Sequence, residues 1–138
     1  MDRLTSAQRR LCMQHNKSKN TSPELAVRSA CHAMGLRFRL HKKDLPGTPD
    51  LTFKKYKTCV FVHGCFWHMH ESCKLSSTPK TQEEYWLQKL KGNIERDKRN
   101  FFKLAHLGWR VEVIWECETK DPEKLAEIIL ERIIKHKD

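Results

Sequence analysis

The sequence predicts an α/β fold, a mixed β-sheet flanked by helices, and three observations carry that prediction. Helical and strand periods follow one another in the order α-β-β-β-loop-α-β-α, with no internal repeat. Thr58-Cys59-Val60-Phe61-Val62-His63 is a β-branched, near-continuous apolar run, the pattern of a strand buried on both faces. The length, 138 residues, suits one core and leaves no room for a second. The expected organisation is a basic arm or short helix over 1–20 and a single domain over 21–138.

Each element has a local reason. Residues 1–20 are polar and basic, with Arg3, Arg9, Arg10, Lys17 and Lys19. Thr21-Ser22-Pro23-Glu24 reads as a helix start: Ser22 as cap, Pro23 in the first turn, Glu24 at the positive end of the dipole. Leu25, Ala26, Ser29, Ala30, Ala33 and Met34 then form the expected inward face, and Gly35 stops the helix. Leu36 to Leu40 alternates apolar and basic residues, as a half-exposed strand does. His41 to Thr48 reads as a turn, Pro49 to Phe53 as a second strand, and Tyr56-Lys57 as the hairpin turn before the buried run.

Residues 64–80 hold Gly, Cys, His, Ser and Pro without a period, a long loop of the functional or metal-organised kind. A helix is expected from about Thr81. Tyr85, Trp86, Leu87 and Leu90, then Ile94, Phe101, Phe102, Leu104, Ala105 and Leu107, carry its apolar pattern to Gly108. Trp109 to Trp115 alternates as a strand. Asp121-Pro122-Glu123 caps a last helix that turns Leu125, Ile128, Ile129, Ile133 and Ile134 inward.

Lys and Arg number 27 against 17 Asp and Glu, a formal charge of +10. That excess points to a polyanion, and nucleic acid is favoured over charge kept for solubility alone. No stretch approaches the roughly 18 to 20 apolar residues of a membrane span, and the start lacks a signal peptide's apolar core. A cytoplasmic protein is therefore expected, without a membrane partner, and a monomer for want of a dimerisation pattern. The six cysteines then read as reduced thiols, some of them metal ligands, rather than as disulfides.

Cys65-Phe66-Trp67-His68-Met69-His70-Glu71-Ser72-Cys73 gathers two thiols and two imidazoles in nine residues. If strands 58–63 and 109–115 are neighbours, Cys117 comes to the same place. Cys65, Cys73 and Cys117 with either His68 or His70 make a tetrahedral zinc set, and spacing does not choose between the histidines. Cys12, Cys31 and Cys59 fall in helix and strand patterns, where packing explains them.

Asp50 opens one strand and His63 ends the next. As a hairpin, these strands bring Asp50 to face His63, with His68 folded back from the following loop and Glu24 as a further carboxylate. A carboxylate holding Mg²⁺ and a histidine accepting a proton from water suit phosphodiester hydrolysis.

At these residues the sequence resembles the very-short-patch-repair (Vsr) DNA mismatch endonucleases. The likeness runs through Leu45-Pro46-Gly47-Thr48-Pro49-Asp50, Val60 to His68, Asn93-Ile94-Glu95-Arg96-Asp97, Gly108-Trp109-Arg110-Val111 and Trp115-Glu116-Cys117. It implies the restriction-endonuclease-like α/β fold with a structural zinc site. It also implies nicking of double-stranded DNA 5′ of the thymine in T:G mismatches left by 5-methylcytosine deamination. The resemblance makes Asp50 and the Val62 backbone carbonyl Mg²⁺ contacts, with two Mg²⁺ ions expected. His68 becomes the general base, His63 the histidine near the scissile phosphate, and Glu24 the carboxylate that orients the network. With His68 so used, the zinc set becomes Cys65, His70, Cys73 and Cys117.

Phe66 and Trp67 match an aromatic wedge beside the mismatch, Met13 a residue entering from the other groove, and Lys89 and Asn93 readers of the mispaired bases. Mismatch-repair proteins and a nucleoid setting go with this reading. Two residues, Glu71-Ser72, stand between His70 and Cys73 where members of the family also have one, and the longer C-terminal extension of some members is not expected here. The competing expectations are a sequence-specific restriction endonuclease on the same scaffold and a zinc-organised DNA-binding module without catalysis.

Overall fold

The computed structural model describes residues 21–65 and 83–135. Helix α1 (Ser22–Ala33) is capped by Thr21, not Ser22: Thr21 has extended backbone, and its hydroxyl accepts from the Glu24 N–H at 3.4 Å. Pro23 sits in the first turn, and Gly35, at φ +73°, lies just past the end. The buried seam is Glu24, Val27 and Cys31, flanked by Ala26, Ala30 and Met34, while Leu25 is 46% exposed. The expected face is therefore turned. An apolar pattern cannot register a carboxylate as an inward position, and Glu24 is one.

Of the strand expected over 36–40, only β1 (Arg39–Leu40) pairs; Leu36 and Phe38 pack on the core instead, with Phe38 5.7 Å from the Phe53 ring. β2 (Leu51–Phe53) and β3 (Thr58–His63) form the expected hairpin, turning at Lys57 with φ +52°. Helix α2 (Glu83–His106) is continuous through Gly92 and ends before Gly108, whose φ of +91° suits the stop. It crosses from β3 to β4 (Arg110–Trp115), which pairs parallel with β3 from Thr58↔Arg110 to His63↔Trp115. A parallel neighbour needs such a crossover. A 3₁₀ turn (Glu116–Thr119), helix α3 (Pro122–Ile129, capped by Asp121) and a π-helical segment (Leu130–Ile134) complete the described chain.

The sheet runs β1-β2-β3-β4, mixed, with α1 and α3 on one face and α2 on the other. Val27, Cys31, Leu51, Phe53, Val60, Ile114, Leu125, Ile129 and Ile133 pack together on the first face. Cys59, Phe61 and Leu104, with Phe101, Val111 and Val113, pack on the second. β3 feeds both layers, which explains its unbroken apolar run. Cys31 and Cys59 are free thiols buried in these layers, as packing predicts.

Ile129 lies at the centre of the first layer and is fully buried. Ile129→Ala is expected to lower unfolding free energy by about 2–5 kcal/mol, the cost of lost transfer plus the cavity left behind. Urea unfolding reads it; a loss under 1 kcal/mol would mean that the layer collapses around the gap.

Candidate active site

The end of β3, the start of β2 and the first turn of α1 converge. β2 begins only at Leu51, and the Asp50 carboxylate accepts the Val62 N–H at 2.7 Å. In an extended strand a residue's N–H and C=O point the same way, so the Val62 carbonyl faces the same side as Asp50.

Beside this lies Glu24, 1% exposed, whose Oε2 contacts the Arg28 guanidinium one turn along and His41 Nε2 at 2.8 Å. Burial is the largest influence on Asp50; with the neighbouring Glu24 charge it pushes the carboxyl up to about 7, against the Val62 hydrogen bond and Arg28. Donor atoms of Glu24, His41 and Asp50 all lie within 4.8 Å of one another. A buried and a half-buried carboxylate beside one guanidinium fit a divalent cation, whose charge would relieve their repulsion and whose hardness suits oxygen donors.

His63 is placed differently from the expectation. The register sets Leu51 opposite Val60, so the Asp50 side chain meets the Val62 backbone rather than the His63 ring. His63 turns to the α2 face: its Nε2 is 3.8 Å from Asp97, its ring stacks on Phe101 at 6.0 Å, and it meets the Trp115 ring edge-on. The alternation of side chains along β3 is the cause, since Val62 and His63 point to opposite faces.

Two residues beyond His63, the parallel pairing of β3 with β4 brings Cys65 to Cys117, as expected from strand adjacency. The Cys117 N–H donates to Cys65 Sγ at 3.4 Å, and the Cys65 N–H donates to Glu116 Oε1 at 3.4 Å. Cys65 is fully buried. Lys89 and Asn93 stand one turn apart on α2, and Asp97 continues the same stripe towards His63. Lys89 Nζ lies 5.8 Å from the Trp86 ring, and Asn93 Oδ1 accepts from Arg96 at 3.3 Å. Met13, Phe66, Trp67, His68, His70 and Cys73, with the arm over 1–20, lie outside the described residues.

A family profile described as DNA mismatch endonuclease Vsr matches residues 1–75. The DNA mismatch endonuclease Vsr of Escherichia coli K12 is 42% identical over 117 residues, 84% of this chain and 74% of its own. The chain belongs to the Vsr family. Further Vsr-like relatives include the type II nicking enzyme V.XorIIP of Xanthomonas oryzae pv. oryzae, 52% identical over 87% of this chain and 88% of its own. The type II nicking enzyme V.NmeAIP of Neisseria meningitidis is 42% identical over 87% and 85%. As a Vsr-family member the protein is a DNA endonuclease, which removes the expectation of a binding module without catalysis. No helix among the described residues is long and apolar enough to cross a membrane.

Two residues of this cluster stand outside the sequence-predicted site: His41 falls within the expected turn, and Arg28 has no predicted role. The available signal was the pairing itself: once Arg39–Leu40 and Leu51–Thr52 are partners, residues 41 and 50 must close the same loop.

Proposed function

We propose that this Vsr-family endonuclease nicks one strand of duplex DNA 5′ of the thymine in T:G mismatches arising from 5-methylcytosine deamination. The observation that carries this reading is the part-buried Asp50–Glu24–His41 cluster against the Val62 backbone, in a chain similar over most of its length to a mismatch endonuclease. Asp50 and the Val62 carbonyl hold Mg²⁺ in this reading, and Glu24 with Arg28 fixes the charge beside it. Mg²⁺, when bound, stabilises charge on the attacking and leaving oxygens of the phosphodiester, with a two-ion arrangement doing so for both.

His68 accepts the proton of the attacking water. His63, braced by Asp97 and Phe101 on the α2 face, is in this reading the histidine near the scissile phosphate. Cys65, His70, Cys73 and Cys117 hold Zn²⁺, and the buried Cys65 thiol beside the Cys117 backbone supports that set. Zinc held by these residues would tie down the segment that carries Phe66 and Trp67, in this reading the wedge into the base stack, with Met13 entering from the other groove. Lys89 and Asn93 read the mispaired bases. A wobble pair stacks less well, so its step is cheaper to prise apart than a matched one. The setting is the bacterial cytoplasm and nucleoid, with the chain a monomer and mismatch-repair proteins as partners.

A second reading has its own support: relatives at 52% and 42% identity are named as type II nicking enzymes. It expects a defined flanking sequence to govern cutting, with matched duplex cut as readily. Single-turnover nicking of paired T:G and C:G duplexes over varied flanks separates the two. The mismatch reading expects the T:G duplex to be cut at least about thirtyfold faster, the factor that roughly 2 kcal/mol of cheaper unstacking supplies. Equal rates would favour the second reading.

A further inference from the structure

We propose that His41 is a direct ligand of the divalent cation at Asp50, giving the site an oxygen–oxygen–nitrogen donor set with Glu24 and Asp50. This rests on the metal reading of Asp50 and adds two ligands to it, His41 and Glu24, the latter keeping its contact with Arg28 as well. His41 Nε2 and Glu24 Oε2 are 2.8 Å apart, and both lie within 4.8 Å of an Asp50 oxygen. Neighbouring ligands of an octahedral ion with bonds of 2.0–2.1 Å stand about 3 Å apart, so the spacing suits a shared ion.

The backbone points the same way. His41 has φ +46°, the left-handed region, and it is not a glycine. Its N–H donates to the Asp50 carbonyl at 3.2 Å, so main chain and side chain both tie residue 41 to residue 50. A left-handed non-glycine residue costs about 1–3 kcal/mol and persists only where its surroundings hold it. Across the loop, Gly47, at φ +78°, leaves space that a Cβ would take from Asn100 of α2, at 3.0 Å. The loop carrying His41 is thereby seated on α2.

The charges also balance. Arg28 offsets Glu24, leaving the Asp50 charge; a divalent cation brings the cluster to a single positive charge, matched by one phosphodiester. Imidazole nitrogen binds first-row transition ions better than it binds Mg²⁺, so this donor set favours Mn²⁺ over Mg²⁺.

Mn²⁺ is the probe, because it does not compete for thiolates and its electron spin reports directly bound nitrogen. Full-length protein with one equivalent of Mn²⁺ should show a directly coordinated ¹⁴N coupling by pulsed electron paramagnetic resonance. His41→Gln keeps an amide donor for Glu24 and should lose that coupling. His63→Gln and His68→Gln should keep it. Affinity alone does not decide, because losing an outer partner also weakens metal binding by about 10–100-fold. No nitrogen coupling in the wild type, or its survival in His41→Gln, overturns the proposal. Asp50→Asn tests the underlying reading separately: if it binds Mn²⁺ as tightly as wild type, the Asp50 assignment fails, whatever His41 does.

Discussion

Asp50→Asn should cut single-turnover nicking of a T:G duplex by roughly 10³-fold or more while the protein stays folded. A loss of that size corresponds to about 4 kcal/mol of charge stabilisation removed from the transition state. The amide keeps the carboxylate's shape, and its oxygen can still accept the Val62 N–H, so the hairpin start is preserved. What it cannot keep is the negative charge beside Glu24. Circular dichroism and a melting curve check the fold; a nicking rate within tenfold of wild type would sink the metal assignment.

The same variant should change how stability depends on pH. Burial and the Glu24 charge raise the folded Asp50 carboxyl to about 7, whereas an unfolded aspartate titrates near 3.9. Between about pH 4 and pH 7 the metal-free folded chain holds a proton that the unfolded chain has released. This group's contribution to stability therefore falls as pH rises through that window and levels off above it. Asp50→Asn removes the slope, so the variant should gain on wild type in melting temperature from pH 5 to pH 8. Mg²⁺ competes with the same proton, so its stabilisation of wild type should be larger at pH 8 than at pH 6. A variant-minus-wild-type difference that stays flat with pH would contradict this.

Much of the fold was legible because its signals are local. β3 declared itself by an apolar run that only a two-sided strand tolerates, α2 by 3–4 spacing up to Gly108, and α3 by its Asp121 cap and 3–4 spacing. The adjacency of β3 and β4 was also inferable, and with it the approach of Cys117 to Cys65. Side-chain direction was harder. Asp50 and His63 lie at the strand ends that the sequence places side by side, yet the alternation along β3 turns His63 to α2, so the two do not meet as a simple hairpin suggests. The face of α1 was misread for a related reason: its seam ends in Glu24, a polar residue held inward by Arg28 and His41. Those partners come from another turn of helix and from a left-handed loop residue, and no periodicity encodes either.

Cys117→Ser should lose zinc and lower the melting temperature of the whole domain. Structural zinc binding is folding free energy, worth about 10–16 kcal/mol in isolated finger peptides, so losing one ligand should cost several kcal/mol here. Serine retains the backbone N–H that meets Cys65 Sγ. The turn itself is braced independently of any metal. Arg132 pairs with both Glu118 carboxylate oxygens, at 2.7 and 3.0 Å, and donates to the Val113 carbonyl at 3.0 Å. The Trp115 N–H donates to Glu118 at 2.9 Å. A large loss in Cys117→Ser therefore reports the missing thiolate rather than a broken turn.

Cys59→Ala is the control, since Cys59 is buried against Phe61 and Leu104 on the α2 face. It should keep one zinc per chain and lose only packing energy, about 1 kcal/mol for a small buried side chain. Metal content by elemental analysis and thermal unfolding, read on both variants, decide the ligand set. If Cys117→Ser keeps stoichiometric zinc and wild-type melting, Cys117 is no ligand, and its approach to Cys65 serves only to join the ends of β3 and β4.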